Sequence, residues 1–215
     1  MKKLVLLALI VALVLPMALF AQGGQETVKA QATDSKMGGV LVFGRSGDSV
    51  SLDPGRETDG ESFYGSTAVF DTLVEFVPGG TAVQPALATS WDIEDGGLTW
   101  TFNLRSGVSF HDGTPLNADA VVFSFSRQFK EDHPFYSQGP WKYWGYMDMD
   151  NIVDDVVAID DLTVQFQLKK VEAPFLANLA MDFASIGSPT AAAKYGDEFK
   201  NNPVGTGAFK FVSWT

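Results

Sequence analysis

Positions 98–105 alternate strictly between apolar and polar: Leu98, Trp100, Phe102 and Leu104 against Thr99, Thr101, Asn103 and Arg105. A period of two over eight residues predicts a half-buried strand, and Asp95-Gly96-Gly97 before it reads as a turn. The same pattern returns at 162–168. Asp160-Asp161 joins this second strand to the apolar run 156–159 in a predicted hairpin. Between the two strands the spacing changes to that of a helix. Asn117 can cap it, Asp119 suits its positive end, and Val121, Val122, Phe125 and Phe129 share one face.

The flanks are read in the same way. Val40-Leu41-Val42-Phe43-Gly44 predicts a short buried strand, followed by a loop over 48–60. Phe63, Ala68, Val69, Leu73 and Phe76 lie close to helical spacing, predicting a helix over 62–76 capped by Ser62 and ended by Pro78-Gly79-Gly80. Ser188-Pro189 opens another helix through Tyr195 to Phe199, which Asn201-Asn202-Pro203 stops. Glycines at 205 and 207 then lead into a predicted strand reaching Trp214. Helices and hairpins without a regular βαβ alternation place the chain in the α+β (mixed α/β) class, and no internal repeat is visible.

The first 21 residues read differently. Met1-Lys2-Lys3, an uncharged apolar run over 4–15, Pro16 and the small-residue exit at Ala21 form a signal-peptide pattern, too short and interrupted for a membrane span. Residues 22–37 are polar and aperiodic, a flexible lead-in. The sequence has no cysteine, so it offers no disulfide, no thiol nucleophile and no lipid-modified cysteine anchor. An exported protein without that anchor is expected in the periplasm. The net charge of −11 argues against nucleic acid as a partner, while 46% hydrophobic residues suffice for a packed core.

Candidate chemistry is sparse. His111-Asp112 are adjacent on a strand end and point apart, and Asp112-Gly113 suits a turn. Two histidines, His111 and His133, are too few for a histidine-rich metal site. The acidic run Asp148, Asp150, Asp154 and Asp155 lacks the glycine and distal glutamate of a calcium loop, so it reads as a solvated face. Tyr143, Trp144 and Tyr146 fit either a cleft lining or a core. No metal, cofactor or catalytic residue is assigned.

Longer motifs carry a resemblance. Gln84-Pro85-Ala86-Leu87-Ala88-Thr89-Ser90-Trp91 is followed by Asp95-Gly96-Gly97-Leu98-Thr99-Trp100-Thr101-Phe102 and its continuation to His111-Asp112-Gly113. Leu116-Asn117-Ala118-Asp119-Ala120 and Asn202-Pro203-Val204-Gly205-Thr206-Gly207 come later in the same order. Together they resemble the family 5 extracellular solute-binding proteins, and residues 172–186 resemble the dipeptide-binding receptors within that family.

The resemblance implies a type II periplasmic-binding-protein fold, a monomer that closes on a short peptide and delivers it to the inner-membrane permease of an ABC importer, without turnover. It implies residues 38–83 as the start of a first lobe, 84–186 as an inserted small domain and 187–215 as a return to the first lobe. The second lobe is then absent from this stretch, since family chains are more than twice as long. It also places the loop before the first helix at the ligand, with Thr58, Asp59, Glu61 and Ser62 as the expected contacts. Two alternatives stay open: an exported hydrolase or carbohydrate-active protein using paired carboxylates such as Asp59 and Glu61, and a receptor of the same family for an oligosaccharide, a nickel chelate or haem.

Overall fold

The alternating strands form the centre of a four-stranded antiparallel sheet. The computed structural model describes residues 39–215, so the signal-peptide and lead-in segments lie outside the described residues. The strands are β3 (Ala88–Glu94), β4 (Thr99–Leu104), β5 (Val153–Asp160) and β6 (Thr163–Leu168), in the order β3-β4-β6-β5. β5 and β6 make the predicted hairpin, and Trp100 lies opposite Phe166 and Phe102 opposite Val164 across the β4–β6 pair. One face of these strands is buried, and on the other Gln165 reaches Thr101 with a 3.2 Å hydrogen bond.

The predicted central helix runs Ala118–Phe129 and is numbered α2, after α1 described below. Its Asn117 cap accepts from the Ala120 amide at 3.0 Å. Phe125 meets Phe166 edge-on at 4.9 Å, fixing the helix over the sheet. The core built on this contact runs from Leu73 to Ile186. It takes in two short helices, α3 (Lys142–Tyr146) and α4 (Met149–Ile152), and α5 (Phe175–Asn178). Trp144 is 1% exposed and stacks on Phe129, which settles one of the three aromatics as core. A smaller core joins Val69 and Phe70 to Ala191, Ala192 and Phe199 around α6 (Pro189–Tyr195), which Ser188 caps as expected.

Several expectations at the flanks are corrected. α1 spans Gly60–Ser66 and is capped by Asp59, not Ser62. Instead of continuing, the chain forms β1 (Val74–Phe76), paired antiparallel with β2 (Val83–Pro85). The cause is a competing set of donors: the Ala68 and Val69 carbonyls accept from the Phe209 and Gly207 amides at 3.0 and 2.9 Å. A longer helix would need those carbonyls for its own fourth-residue amides.

That approach also explains the glycines that precede the predicted strand. A Cβ on Gly205 would sit 2.2 Å from the Val69 carbonyl oxygen, and one on Gly207 would sit 2.6 Å from the Val69 carbonyl carbon. No regular strand follows at 208–214, and none forms at 40–44, where Val40 to Phe43 are exposed. A strand forms only where a neighbour takes its amides and carbonyls, and no described strand lies beside either segment. The chain divides into two units, Met1–Gly44 and Arg45–Thr215, the second holding all the elements above. No helix among the described residues is long and apolar enough to cross a membrane.

Replacing Gly205 by alanine forces one backbone segment off another. We expect Gly205→Ala to lose about 1–3 kcal/mol, the range for overpacking, read as a lower urea midpoint with an unchanged slope.

Candidate functional site

The loop over 48–60 is unusual in being mostly buried, from Ser49 through Glu57. A buried loop needs partners for its polar groups, and here they are explicit. The Ser62 hydroxyl accepts from the Val50 and Ser51 amides at 2.9 and 3.4 Å, and the Leu52 amide donates to the Lys200 carbonyl at 2.8 Å. Asp53 receives both guanidinium nitrogens of Arg127 from α2, at 2.8 and 2.7 Å, with both side chains almost fully excluded from water. The guanidinium is also 5.0 Å from the Trp141 ring and 5.7 Å from Phe199. Gly55 lies against this pair, because a Cβ there would come within 3.2 Å of Trp141 and 3.4 Å of Arg127.

The pinned loop forms one wall of a cleft of about 350 Å³. Glu57, Thr58 and Asp59 line it with Arg56 of the same loop and with Pro140, Lys142 and Lys200 from elsewhere in the chain. Asp197 holds Arg56 at 2.7 Å and Lys200 at 3.3 Å, whereas Lys142 makes no ion pair among the described residues. Two carboxylates and three cations around one cavity suit a ligand carrying both signs of charge.

The two carboxyl groups are tuned in opposite directions. Removal from water is the largest influence on Glu57 and raises it above the ordinary glutamate range; Asp59 and Asp53 add to this and Ser51 opposes it. Partial burial also pushes Asp59 upward. The Ser62 amide and hydroxyl and the neighbouring Glu57 outweigh that and hold Asp59 below the ordinary range. Asp59 is thus the standing anion and Glu57 the carboxyl that more readily keeps a proton.

The four expected contacts separate. Thr58 is exposed on the cleft and Asp59 lines it, with one oxygen spent on its 2.9 Å cap to the Ser62 amide. Glu61 turns toward Ser46 and Ser62 is fully buried beneath the loop; neither lines the cavity. Glu57, Lys142 and the Asp53–Arg127 pair were not among the expected residues. A signal for Arg127 existed, since it falls on a helix flank otherwise carrying Ala120 and Ser124, small enough for close packing on a second surface.

The profile of the bacterial extracellular solute-binding proteins, family 5 (middle region), matches residues 82–215. The chain belongs to this family. It is 37% identical over 212 residues to the heme-binding protein A of Haemophilus influenzae, covering 90% of this chain and 38% of that protein. It is 40% identical over 189 residues to the dipeptide-binding protein of Escherichia coli, covering 81% and 35% respectively. The periplasmic binding protein DppA of Helicobacter pylori, solved with the peptide STSA, superposes with a TM-score of 0.73 at 46% identity, over 78% of this chain and 35% of that one. The chain therefore spans about a third of the length of these relatives, and its mixed helix-and-sheet fold is that of the family.

Other family 5 motif residues serve the frame. His111 and Asp112 engage different partners: His111 Nε2 lies 2.8 Å from the Gly207 carbonyl, while Asp112 accepts from the Ser188 hydroxyl at 2.6 Å and from Thr114. The acidic run is spread over separate contacts, Asp148 with Lys170 at 2.9 Å and Asp155 with Lys130 at 2.6 Å. Among the described residues no cluster of three or more potential metal ligands occurs.

Two outcomes test this site. Arg127→Met strands the Asp53 carboxylate and is expected to lose about 3–5 kcal/mol, whereas adding Asp53→Leu in the same chain recovers most of it; chemical denaturation reads both. Because the folded state raises Glu57, its contribution is present below the unfolded value and is lost as pH rises through the folded one. Glu57→Gln should therefore raise the melting temperature at pH 7, and the gain should vanish at about pH 4, near the ordinary glutamate value.

Proposed function

We propose that this chain is the ligand-gripping N-terminal portion of a periplasmic receptor that captures short peptides and passes them to the permease of an ABC importer. The observation that carries this reading is the cleft beside the 57–59 loop, whose fixed Asp59 anion and unpaired Lys142 cation match the two ends of a zwitterionic peptide. Relatives named as dipeptide-binding and a neighbour solved with a bound peptide support it. In this reading 38–83 and 187–215 belong to a first lobe and 84–186 to an inserted domain, which the smaller core supports by joining Val69 and Phe70 to Ala191, Ala192 and Phe199. The receptor works as a monomer, reaches the periplasm through its N-terminal signal segment, and closes by a hinge on a second lobe supplied elsewhere in the protein.

The similarity to a heme-binding protein is the specific observation behind a second reading. The cleft argues against it, because haem presents a wide apolar face and needs an axial ligand. His133 packs on Phe123, its Nδ1 accepting from the Phe135 amide, and His111 is turned to Gly207. Neither lines the cleft. The hydrolase reading is weakened too, since Asp59 and Glu61 do not share the cavity.

Calorimetry with dipeptides on the complete protein, with mass spectrometry of the recovered ligand, tests the proposal. Binding with the peptide returned intact is expected. Asp59→Asn keeps a capping side chain and should weaken affinity about tenfold, the equivalent of about 1.4 kcal/mol. Cleaved peptide would return the hydrolase reading, and unchanged affinity would remove Asp59 from the site.

A further inference from the structure

A second, smaller cavity lies one residue along α3 from the lining of the cleft. Tyr143 follows the cleft-lining Lys142; with Phe63, Met181, Asp182 and Phe183 it lines an open cavity of about 80 Å³. Tyr143 stacks on Phe183 with ring centroids 6.1 Å apart and planes 7° apart, and Phe63 meets Tyr143 edge-on at 5.6 Å. The rings are therefore held in place by one another.

Asp182 is the one charged group lining this cavity. Among the described residues it pairs with no lysine, arginine or histidine, and no side-chain hydrogen bond reaches its carboxylate. Its backbone carbonyl is used, accepting from the Ser185 amide at 3.1 Å, so the turn that carries it is fixed while the carboxylate is not. Loss of water contact is the sole influence on that carboxyl group and raises it above the ordinary aspartate range. A half-buried carboxylate without a counter-charge is a cost to the fold unless something cationic arrives. Aromatic rings around it favour the same visitor, because their faces attract a cation.

We propose that the Asp182 cavity is a subsite for a primary ammonium group of the ligand, with Asp182 supplying the counter-charge and Phe63, Tyr143 and Phe183 the walls. The volume is that of two to three waters, at about 30 Å³ each, room for an ammonium head with a methylene or two. With the terminal amine at Asp59, a lysine-type side chain carries this chemistry; a terminal amine held at Asp182 instead would take that role from Asp59. The proposal rests on the peptide-receptor reading and adds to it a preference that the cleft by itself does not create.

The test compares the complete protein with Asp182→Asn, which keeps the side chain's size and removes its charge, by calorimetry with Ala-Ala, N-acetyl-Ala-Ala, Ala-Lys and Ala-norleucine. Since no partner is lost, the variant is expected to fold and to melt no lower than the parent at neutral pH. If the side-chain ammonium is the visitor, Ala-Lys loses at least tenfold in the variant while Ala-norleucine stays within twofold. If the terminal amine is the visitor, every free-amine peptide loses at least tenfold and N-acetyl-Ala-Ala does not. Affinities within twofold for all four peptides overturn the subsite and leave the receptor reading standing. Failure of the parent protein to bind any of them overturns both.

Discussion

The arrangement depends on a pair of charges taken out of water, Asp53 and Arg127. Each costs several kcal/mol to desolvate, and their mutual attraction returns this only with good geometry. The geometry here is a two-pronged contact at 2.8 and 2.7 Å with aromatic rings around the guanidinium. An apolar substitute of the same volume could hold these elements together as firmly. What the charges add is selectivity, because a loop packed in any other register leaves both of them buried and unmet. The pair joins the 48–60 loop to α2, and through Phe199 to the segment after α6.

That constraint sets the chemistry of the cleft. With Asp53 fixed, the chain passes Gly55 against Trp141 and delivers Glu57, Thr58 and Asp59 to one wall, while Pro140 and Lys142 on either side of the same tryptophan form part of the other. One buried contact thus places both sides of the cavity. The opposite tuning of Glu57 and Asp59 follows from position: Asp59 sits where the first amides of α1 point at it, and Glu57, two residues earlier, has lost water without gaining comparable donors. The Asp182 carboxyl is a more extreme case of the second kind, desolvated with no donor among the described residues.

Much of the frame was legible along the chain. Strict alternation at 98–105 and 162–168 and the capped apolar face at 117–129 specify elements whose partners lie in the same core, so local pattern and tertiary packing agree. β3 was less legible because it is an edge strand with most of its side chains in water; Trp91, packing on Phe102 at 6.2 Å, carries much of its apolar contact. The 62–76 segment misled because its apolar spacing serves two packed surfaces at once, Phe63 toward Tyr143 and Val69 and Phe70 toward Phe199.

The sequence by itself determined the class of fold, the capped helices and hairpin, the family, and the loop in which ligand contacts should be sought. These depend on short-range patterns of polarity and on motifs that survive without their surroundings. Only the tertiary structure decided which residues of that loop face a cavity, that Ser62 is a buried brace and Glu61 points elsewhere, that Lys142 lines the cleft, and that Asp182 shares a smaller cavity with Phe63 and Tyr143. It also decided where α1 stops, because the amides that claim the Ala68 and Val69 carbonyls come from more than 130 residues away, at Gly207 and Phe209. Burial, counter-charge and hydrogen-bond competition are properties of neighbours in space, and no local pattern encodes them.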